Sequence, residues 1–292
     1  MFAVTLLTNP ETPVLERATV EALRNAWGGG AARWLDPGVA VEFLIESVPE
    51  NRWAVWANLQ ALHVDMVVQA AHGRKKRLLI ADMDSTMIQQ ECIDELADEA
   101  GVGAHVVAIT ARAMNGELDF AASLRERVGL LKDLPEDAIA RVLRDRITLM
   151  PGGPVLLATM KANGAHAALV SGGFTAFTEA VAAKLGFDET RANRLHIAGG
   201  ALTGTVAEPI LGKEAKLQAL NEITARLGLT PADAIAVGDG ANDLPMLLAA
   251  GTGVALHAKP RVQAECAVRV NHGDLTALLY LQGYSRDGFT GA

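Results

Sequence analysis

The chain has 292 residues, half of them hydrophobic, and its 34 acidic and 26 basic side chains give a formal charge of −8 at pH 7. This length favours about two domains with a substantial core, and the composition excludes a disordered chain. The acidic balance argues against nucleic acid or an anionic membrane as partners, because both need a positive surface.

Export and membrane insertion are also disfavoured by the sequence. No apolar run approaches the ~18 residues that span a membrane, and no basic segment precedes the first apolar run. Cys92 and Cys266 are too few for a disulfide framework or a zinc-ligand spacing. We therefore expect a soluble, cytoplasmic protein.

Residues 1–72 contain all four tryptophans and are predicted to form a small N-terminal α+β domain. The patterns predict a strand over residues 2–7, a helix opened by Thr12 and Pro13 that runs to about Trp27, a strand over 39–45 and a helix over 51–71. This β-α-β-α segment shows no catalytic constellation. We expect it to be regulatory or to form an interface, through which copies of the chain could associate.

A basic run, Gly-Arg-Lys-Lys-Arg at residues 73–77, follows this domain. Such a run can bind nucleic acid, but the next segment, residues 78–292, carries net charge −8. We therefore interpret residues 73–77 as a solvated linker or strand entry.

Residues 78–292 alternate short apolar runs with helical patterns, which is typical of an α/β fold with a doubly wound, Rossmann-like parallel sheet. Some 80 residues separate the first two predicted strands, and residues 89–149 among them show four helical patterns. They predict a small helical cap over a core formed by 78–88 and 150–292. The predicted strands are 78–81, 167–170, 234–237, 254–256 and 268–270, with a Gly-Gly hairpin over 195–203.

Carboxylates follow two of these strands. Asp82 and Asp84 come directly after the first strand, and Asp239 and Asp243 follow the third. Clustered carboxylates repel one another unless a cation lies between them or acid–base chemistry needs them. Oxygen ligands suit Mg²⁺, whereas the scattered histidines argue against Zn²⁺.

A phosphate site needs hydrogen-bond donors and positive charge. Ser171 and Gly172 precede a predicted helix, so a hydroxyl, backbone amides and a helix N-terminus could face an anion. Lys216, at the start of a later helix, could neutralise phosphate charge. Each feature alone is better explained as an ordinary turn or an exposed lysine, but ligands of open α/β sheets bind where successive strands end.

These motifs, in this order, resemble the signature of the haloacid dehalogenase superfamily. The Asp82-Met-Asp-Ser-Thr form, Glu91, the Ser-Leu-Arg-Glu-Arg-Val segment from Ser123 and the Gly-Asp-Gly-Ala-Asn-Asp loop from Gly238 are most similar to its phosphoserine phosphatase family. The resemblance spans about residues 78–281. Residues 1–72 have a weaker similarity to ACT-like amino-acid-sensing modules, whose usual order is β-α-β-β-α-β.

The resemblance implies roles for the residues of the core. Asp82 would be the nucleophile that forms an aspartyl phosphate, and Asp84 the general acid and then the general base. The remaining core residues would hold Mg²⁺ or the phosphoryl group: Asp82, the backbone carbonyl of Asp84 and Asp239 for the metal; Ser171, Gly172 and Lys216 for the phosphoryl oxygens; Asn242 near the phosphate; and Asp243 to orient Lys216 or a metal-bound water.

The resemblance also assigns the cap to substrate selection. Glu91 would meet the substrate ammonium, and Arg127 would bind its carboxylate through the guanidinium fork. Met114 and Phe120 match apolar residues that line the cap side. Arg125, two positions from Arg127 on a predicted helix, is interpreted as a surface charge.

The implied activity is Mg²⁺-dependent hydrolysis of O-phospho-L-serine to L-serine and phosphate, the last step of L-serine biosynthesis. An alternative within the superfamily is a phosphatase or phosphotransferase for another small phosphomonoester. A nucleotide-binding oxidoreductase is disfavoured because the loop from Gly238 lacks the third glycine of G-x-G-x-x-G. A non-catalytic amino-acid sensor is disfavoured because Asp82, Asp84 and Lys216 are all present.

Overall fold

The structure, a computed structural model, describes residues 1–114 and 117–291. Its first elements, in chain order, are β1 (Phe2–Leu7), α1 (Arg17–Ala26), β2 (Arg33–Asp36), β3 (Ala40–Ile45), α2 (Arg52–Gln60) and β4 (Asp65–Ala70). The four strands form an antiparallel sheet in the order β2-β3-β1-β4. The N-terminal segment therefore has the order β-α-β-β-α-β, two strands more than the sequence patterns predict.

Two of the predicted N-terminal elements are wrong in their extent. The predicted helix over 51–71 ends at Gln60, and β4 pairs with β1 along its length. Helix α1 begins at Arg17 rather than at Pro13, and the Leu15 N–H instead donates to the Gly38 carbonyl at 3.2 Å. In both segments the structure depends on hydrogen bonds to residues that are distant in sequence. The periodicity of apolar residues within a segment does not reveal such bonds.

The later elements build the second part of the molecule. They are β5 (Leu78–Ala81), α3 (Cys92–Glu99), α4 (Gly103–Met114), α5 (Phe120–Gly129), α6 (Asp137–Asp145), α7 (Gly153–Ala162), β6 (His166–Phe174), α8 (Thr175–Leu185), β7 (Glu189–Asn193), β8 (Leu195–Ala198), β9 (Ala201–Val206), α9 (Lys213–Arg226), β10 (Ala234–Gly238), α10 (Leu244–Ala249), β11 (Thr252–Leu256), α11 (Pro260–Glu265), β12 (Val268–Val270) and α12 (Ala277–Leu281).

Six of these strands form a parallel sheet in the order β12-β11-β10-β5-β6-β7. All five predicted strands are present, and β7 is an additional edge strand. Apolar residues cover both faces, one packing against α9 and α10 and the other against α7, α8 and α12. The predicted α/β fold with a parallel sheet is confirmed. In this order, the three strands followed by the polar motifs, β10, β5 and β6, are direct neighbours.

Helices α3 to α6 lie between β5 and β6, in the segment that the sequence analysis interprets as a cap. The chain enters and leaves it side by side, because Ile88 and Leu149 form an antiparallel bridge and the Gln89 N–H donates to the Thr148 carbonyl at 3.0 Å. The Gly-Gly hairpin is the predicted one, with β8 and β9 joined through Gly199 and Gly200 at positive φ. A bridge from Pro135 to Ala201 joins the cap to this hairpin.

The N-terminal sheet is buried on both of its faces. One face packs under α1 and α2, and residues of the other, including Leu7 and Val67, belong to the same apolar cluster as Leu278 and Tyr280 of the second part. The Tyr280 hydroxyl donates to Asp36 at 2.7 Å. The buried Asp65 carboxylate accepts three backbone N–H bonds, each 2.9 Å, from residues 271–273.

The basic run at residues 73–77 leads directly into β5, as the strand-entry alternative predicts, and it is only partly exposed to solvent. Arg74 is largely buried and pairs with Glu42 at 2.7 Å. The Lys75 ammonium lies 4.3 Å from the centre of the Tyr284 ring, and Lys76 donates to the Ala232 carbonyl. These basic side chains fasten the connection to both parts of the chain.

In the described ranges, 1–114 and 117–291, no helix has the length and apolar character to cross a membrane.

Candidate active site

Three neighbouring strand ends bring the predicted carboxylates and lysine together. Asp82 follows β5, Asp243 lies in the loop after β10, and Lys216 lies in the first turns of α9. The Lys216 ammonium contacts Asp82 Oδ1 at 2.7 Å and Asp243 Oδ1 at 2.5 Å. All three side chains are buried, and Lys216 is only 1% exposed. The charged form of a lysine buried this deeply is stabilised here by its pairing with two carboxylates.

The charge states of this group follow from its surroundings. Burial, and then the Asp243 carboxylate, raises the pKa of Asp82 well above its ordinary value, while Lys216 acts in the opposite direction. Burial alone would lower the pKa of Lys216, but Asp243 and Asp82 raise it above its ordinary value. Lys216 is therefore a fixed positive charge beside Asp82 Oδ1, which also accepts the Met83 N–H at 2.8 Å.

Asp84 lies next to this pair in a different environment. Its Oδ1 accepts the Cys92 N–H at 3.0 Å at the start of the cap, and its Oδ2 lies 3.4 Å from the Ser171 hydroxyl. Burial, followed by the negative charge of Glu91, raises the pKa of Asp84 to about 6. A carboxyl group with this pKa can both give and take a proton near neutral pH.

Residues 171–174 belong to β6 but depart from its regular ladder, and this irregular strand end is called the loop of β6 below. The β6–β7 register shifts between Val170 and Phe174, and the Gly173 N–H donates to the Ser171 hydroxyl at 2.8 Å. A Cβ on Gly173 would lie 2.7 Å from Asp84 Oδ2, so only glycine allows this close approach. The loop and the N-terminus of α8 thus lie beside Asp84.

The residues present fit a hard divalent cation. Asp82, Asp239 and Asp243 can each offer one carboxylate oxygen, and these atoms lie within 4.8 Å of one another. Burial, and then Asp243, raises the pKa of Asp239 to about 6, so its negative charge is poorly compensated. Both oxygens of Asp243 already accept hydrogen bonds, from Lys216 and from the Gly240 N–H. Asp82 and Asp239 are therefore the freer ligands, and an all-oxygen set suits Mg²⁺.

Two predicted substrate residues lie on the cap side of this cluster. Glu91 precedes α3 and accepts a 2.7 Å hydrogen bond from Ser85, which has φ of +55°. Arg127 on α5 is half-buried, and its Nε donates to the Ser123 carbonyl at 3.4 Å. Burial lowers the pKa of Arg127, whereas Asp94, Glu91 and Asp84 act to raise it. The guanidinium therefore lies within the electrostatic field of the site carboxylates.

The remaining residues predicted for the site, and the predicted surface residue Arg125, lie in different surroundings. The Phe120 ring lies over the loop of β6, since a Cβ on Gly172 would lie 3.0 Å from it. Met114 ends α4, and its side chain lies outside the described part of the structure. Asn242 is half-buried, with its Oδ1 folded back over Gly240. Arg125 is exposed and pairs with Glu208 at 2.7 Å, as expected of a surface charge.

Two polar residues in this region were not predicted from the sequence. Asn193, at the end of β7, bonds to Gly172 and to Leu211. Ser85 holds Glu91. The only sequence signal for Ser85 is its place between Asp84 and the cap. Asn193 gives none, because a single asparagine after a polar segment reads as a turn residue.

Comparison with known proteins agrees with this geometry. The family model described as haloacid dehalogenase-like hydrolase matches residues 79–248. The chain belongs to the haloacid dehalogenase-like hydrolase family.

Its relatives and structural neighbours define the group within that family. The chain is 43% identical over 255 residues to a phosphoserine phosphatase of Streptomyces coelicolor, covering 86% of this chain and 62% of that protein. It is 47% identical over 210 residues to a phosphoserine phosphatase of Polaromonas sp., covering 70% of this chain and 89% of the relative. The similarity to phosphoserine phosphatases of the haloacid dehalogenase superfamily is thereby confirmed.

Solved structures extend the comparison. A probable phosphoserine phosphatase from Vibrio cholerae, in unliganded form, has TM-score 0.79 and 34% identity, and the match covers 97% of this chain and 86% of that one. A substrate-bound phosphoserine phosphatase complex has TM-score 0.66 and 41% identity, covering 70% of this chain and 98% of that one. The first match therefore includes nearly all of the N-terminal part.

Proposed function

We propose that this protein is an L-phosphoserine phosphatase that hydrolyses O-phospho-L-serine to L-serine and phosphate. The observation that carries the proposal is the placement of Asp82, Asp84 and Lys216 at one sheet edge beneath a cap that carries Glu91 and Arg127. The names of the relatives support the substrate assignment. The reaction is the last step of L-serine biosynthesis, and we place it in the cytoplasm.

The first half-reaction transfers the phosphoryl group to Asp82. A carboxylate oxygen of Asp82 attacks phosphorus, the bond from phosphorus to the seryl oxygen breaks, and Asp84 gives its proton to that oxygen. The raised pKa of Asp84 supports this role, because a fraction of the carboxyl groups is protonated near neutral pH. Lys216 holds Asp82 Oδ1 and offsets the negative charge of the transferred group.

The second half-reaction releases phosphate. Asp84, now ionised, takes a proton from a water molecule, whose oxygen attacks the phosphorus of the aspartyl phosphate. The bond from phosphorus to the Asp82 oxygen breaks, which regenerates the carboxylate and leaves Asp84 protonated for the next cycle. The Ser171 hydroxyl and the Gly172 N–H hold the phosphoryl oxygens in both steps, and Asn242 lies near them.

We assign Mg²⁺ to the carboxylate cluster, with Asp82, the backbone carbonyl of Asp84 and Asp239 as protein ligands. When bound, Mg²⁺ supplies positive charge to the phosphoryl oxygens. Asp243 positions Lys216, since its two oxygens are taken by Lys216 and the Gly240 N–H. This assignment is consistent with the separation of 4.8 Å or less between the carboxylate oxygens.

Substrate selection is assigned to opposite charges on the cap. Phosphoserine carries an ammonium and a carboxylate on one carbon, so a site that binds both groups needs one anionic and one cationic side chain. Glu91 and Arg127 supply these charges, and the Phe120 ring lies against the loop of β6 at Gly172. A small phosphomonoester without the amino-acid group would engage neither, which is why phosphoserine is preferred over the alternative substrates.

The test is phosphate release by the 292-residue chain from O-phospho-L-serine and from an aryl phosphate, each with Mg²⁺ and with excess EDTA. We expect rapid Mg²⁺-dependent release from phosphoserine and much slower release from the aryl phosphate. Faster hydrolysis of other phosphomonoesters would favour the alternative within the family. Full activity in EDTA would contradict the metal assignment.

A further inference from the structure

Asn193 lies at the end of the edge strand β7 and is only 2% exposed. It faces the place where the β6–β7 ladder changes register, between Val170 and Phe174. Because of this shift, the Gly172 carbonyl is bonded by a side chain, the Asn193 amide, whose Nδ2 donates to it at 2.8 Å. One residue therefore supports the outer side of the loop that carries Ser171.

The same amide binds a second loop. Its Oδ1 accepts the Leu211 N–H at 2.7 Å, and its Nδ2 donates to the Leu211 carbonyl at 3.3 Å. Leu211 lies two residues before α9, the helix that carries Lys216. The Asn193 side chain thus connects the loop of Ser171 with the segment that leads to Lys216. Among the described residues it makes no hydrogen bond to Asp82, Asp84 or Asp239.

Only an uncharged amide of this length satisfies all three groups. Two backbone carbonyls need donors and one backbone N–H needs an acceptor, and an amide side chain offers both kinds of group. An aspartate would keep the acceptor but place a carboxylate oxygen against two carbonyls. In a buried position each unsatisfied group is unfavourable, so the loops would move apart.

We infer that Asn193 is a positioning residue, which sets the distance between the phosphoryl-binding loop at Ser171–Gly172 and the ammonium of Lys216. This inference rests on the proposed function of these groups. It differs from the assignment of Glu91 and Arg127, because the groups that Asn193 positions meet the phosphoryl group rather than the serine part. Its loss should therefore affect every phosphomonoester equally.

The experiment compares Asn193→Asp and Asn193→Ala with a matched control, Thr224→Val. Thr224 is also buried, bonds a backbone carbonyl through its hydroxyl at 2.7 Å, and lies eight residues beyond Lys216 on α9. That separation is about 12 Å along the helix. The control reproduces the loss of a buried hydrogen bond away from the loops. Melting temperature is recorded for each variant.

We expect kcat/KM of both Asn193 variants to fall about 100-fold, by the same factor for phosphoserine and for an aryl phosphate. The Kd for inorganic phosphate, measured by calorimetry in Mg²⁺, should rise in parallel, and Thr224→Val should keep the wild-type kinetics. Unchanged kinetics in the folded Asn193 variants, or a loss confined to phosphoserine, would overturn the inference. An equal loss of kcat/KM in Thr224→Val would show that Asn193 has only a structural role, and this result would also overturn the inference.

The readouts separate this inference from the proposed function. A wild-type protein that hydrolyses the aryl phosphate but not phosphoserine contradicts the substrate assignment and leaves the Asn193 comparison intact. A wild-type protein that neither hydrolyses a phosphomonoester nor binds phosphate contradicts both.

Discussion

Arg127 and Arg125 lie two positions apart on α5 and have different surroundings. Arg127 is half-buried near the site carboxylates, whereas Arg125 is exposed and pairs with Glu208. Residues at i and i+2 point to different sides of a helix, so the sequence spacing already separated the two. In the proposed function, the half-buried Arg127 rather than the exposed Arg125 is therefore the partner of the substrate carboxylate.

The first prediction uses this contrast. Arg127→Ala should reduce kcat/KM for phosphoserine about 30- to several-thousand-fold, because loss of a buried charge-assisted contact costs about 2–5 kcal/mol. Hydrolysis of an aryl phosphate, which has no carboxylate for Arg127, should change far less. Arg125→Ala is the matched control and should alter neither. If kcat/KM falls by the same factor for both substrates, Arg127 does not bind the serine part of phosphoserine.

Glu91→Gln should show the same selectivity through the substrate ammonium. The loss should be smaller than for Arg127→Ala, because the amide oxygen still accepts a hydrogen bond from the ammonium and from Ser85. Steady-state kinetics on the two substrates, with circular dichroism to confirm folding, measures this. An equal loss on the aryl phosphate would assign Glu91 to the core chemistry instead.

The loop at the end of β6 depends on a glycine for a steric reason. Gly173→Ala would place a methyl group 2.7 Å from Asp84 Oδ2 and 3.1 Å from the Ser171 hydroxyl. We expect kcat to fall about 100-fold, since a displacement of about 1 Å at a reacting group has an effect of this size. The control is Gly288→Ala, where an added Cβ meets no atom within 4 Å. Wild-type kcat in Gly173→Ala would show that the Asp84 carboxyl is not held against this loop.

The elements that carry the site were predictable because their local signals agree. The strands β5, β6 and β10 are apolar runs that end in polar or glycine-rich sequence, and that pattern marks a strand end in any open α/β sheet. The cap helices were recognisable from their apolar spacing. Neighbouring positions for Asp82, Ser171 and Asp239 then follow from the strand order.

Other elements depend on contacts that the sequence does not display. Strand β7 reads Glu-Thr-Arg-Ala-Asn, which lacks apolar alternation, and it forms a strand because it pairs with β6 at the sheet edge. Leu62, before β4, and Met66, within it, are spaced as on one face of a helix, but pairing with β1 makes residues 65–70 a strand. The role of Asn193 could not be predicted for the same reason, since its partners lie 18 and 21 residues away.

The N-terminal part and the second part of the chain share one apolar cluster and several buried polar contacts. The Tyr280 hydroxyl, on a ring that is 2% exposed, donates to Asp36 of the N-terminal part at 2.7 Å. Tyr280→Phe should reduce the free energy of unfolding by about 1–3 kcal/mol and leave kcat unchanged. Calorimetric melting checks this, with Tyr284→Phe, whose ring lies under Lys75, as the control. An unchanged melting temperature would show that this contact does not stabilise the interface.

Removal of residues 1–72 tests the division of the chain at the basic run. Every residue assigned to chemistry lies beyond residue 77, so the remaining chain should hydrolyse phosphoserine with a similar kcat. It should melt at a lower temperature, because Leu278 and Tyr280 lose their cover from the N-terminal sheet. A folded fragment without activity at saturating substrate would contradict this division of the chain.

In the proposed mechanism, Asp82 becomes phosphorylated by phosphoserine. This step is measured by an acid quench of the 292-residue chain during turnover of ³²P-labelled O-phospho-L-serine, followed by mass spectrometric mapping of the labelled peptide. We expect one acid-stable phosphoryl group on Asp82, and we expect Asp82→Asn to show neither this group nor turnover. Label on a serine, histidine or cysteine, or turnover in Asp82→Asn at the wild-type rate, would contradict it.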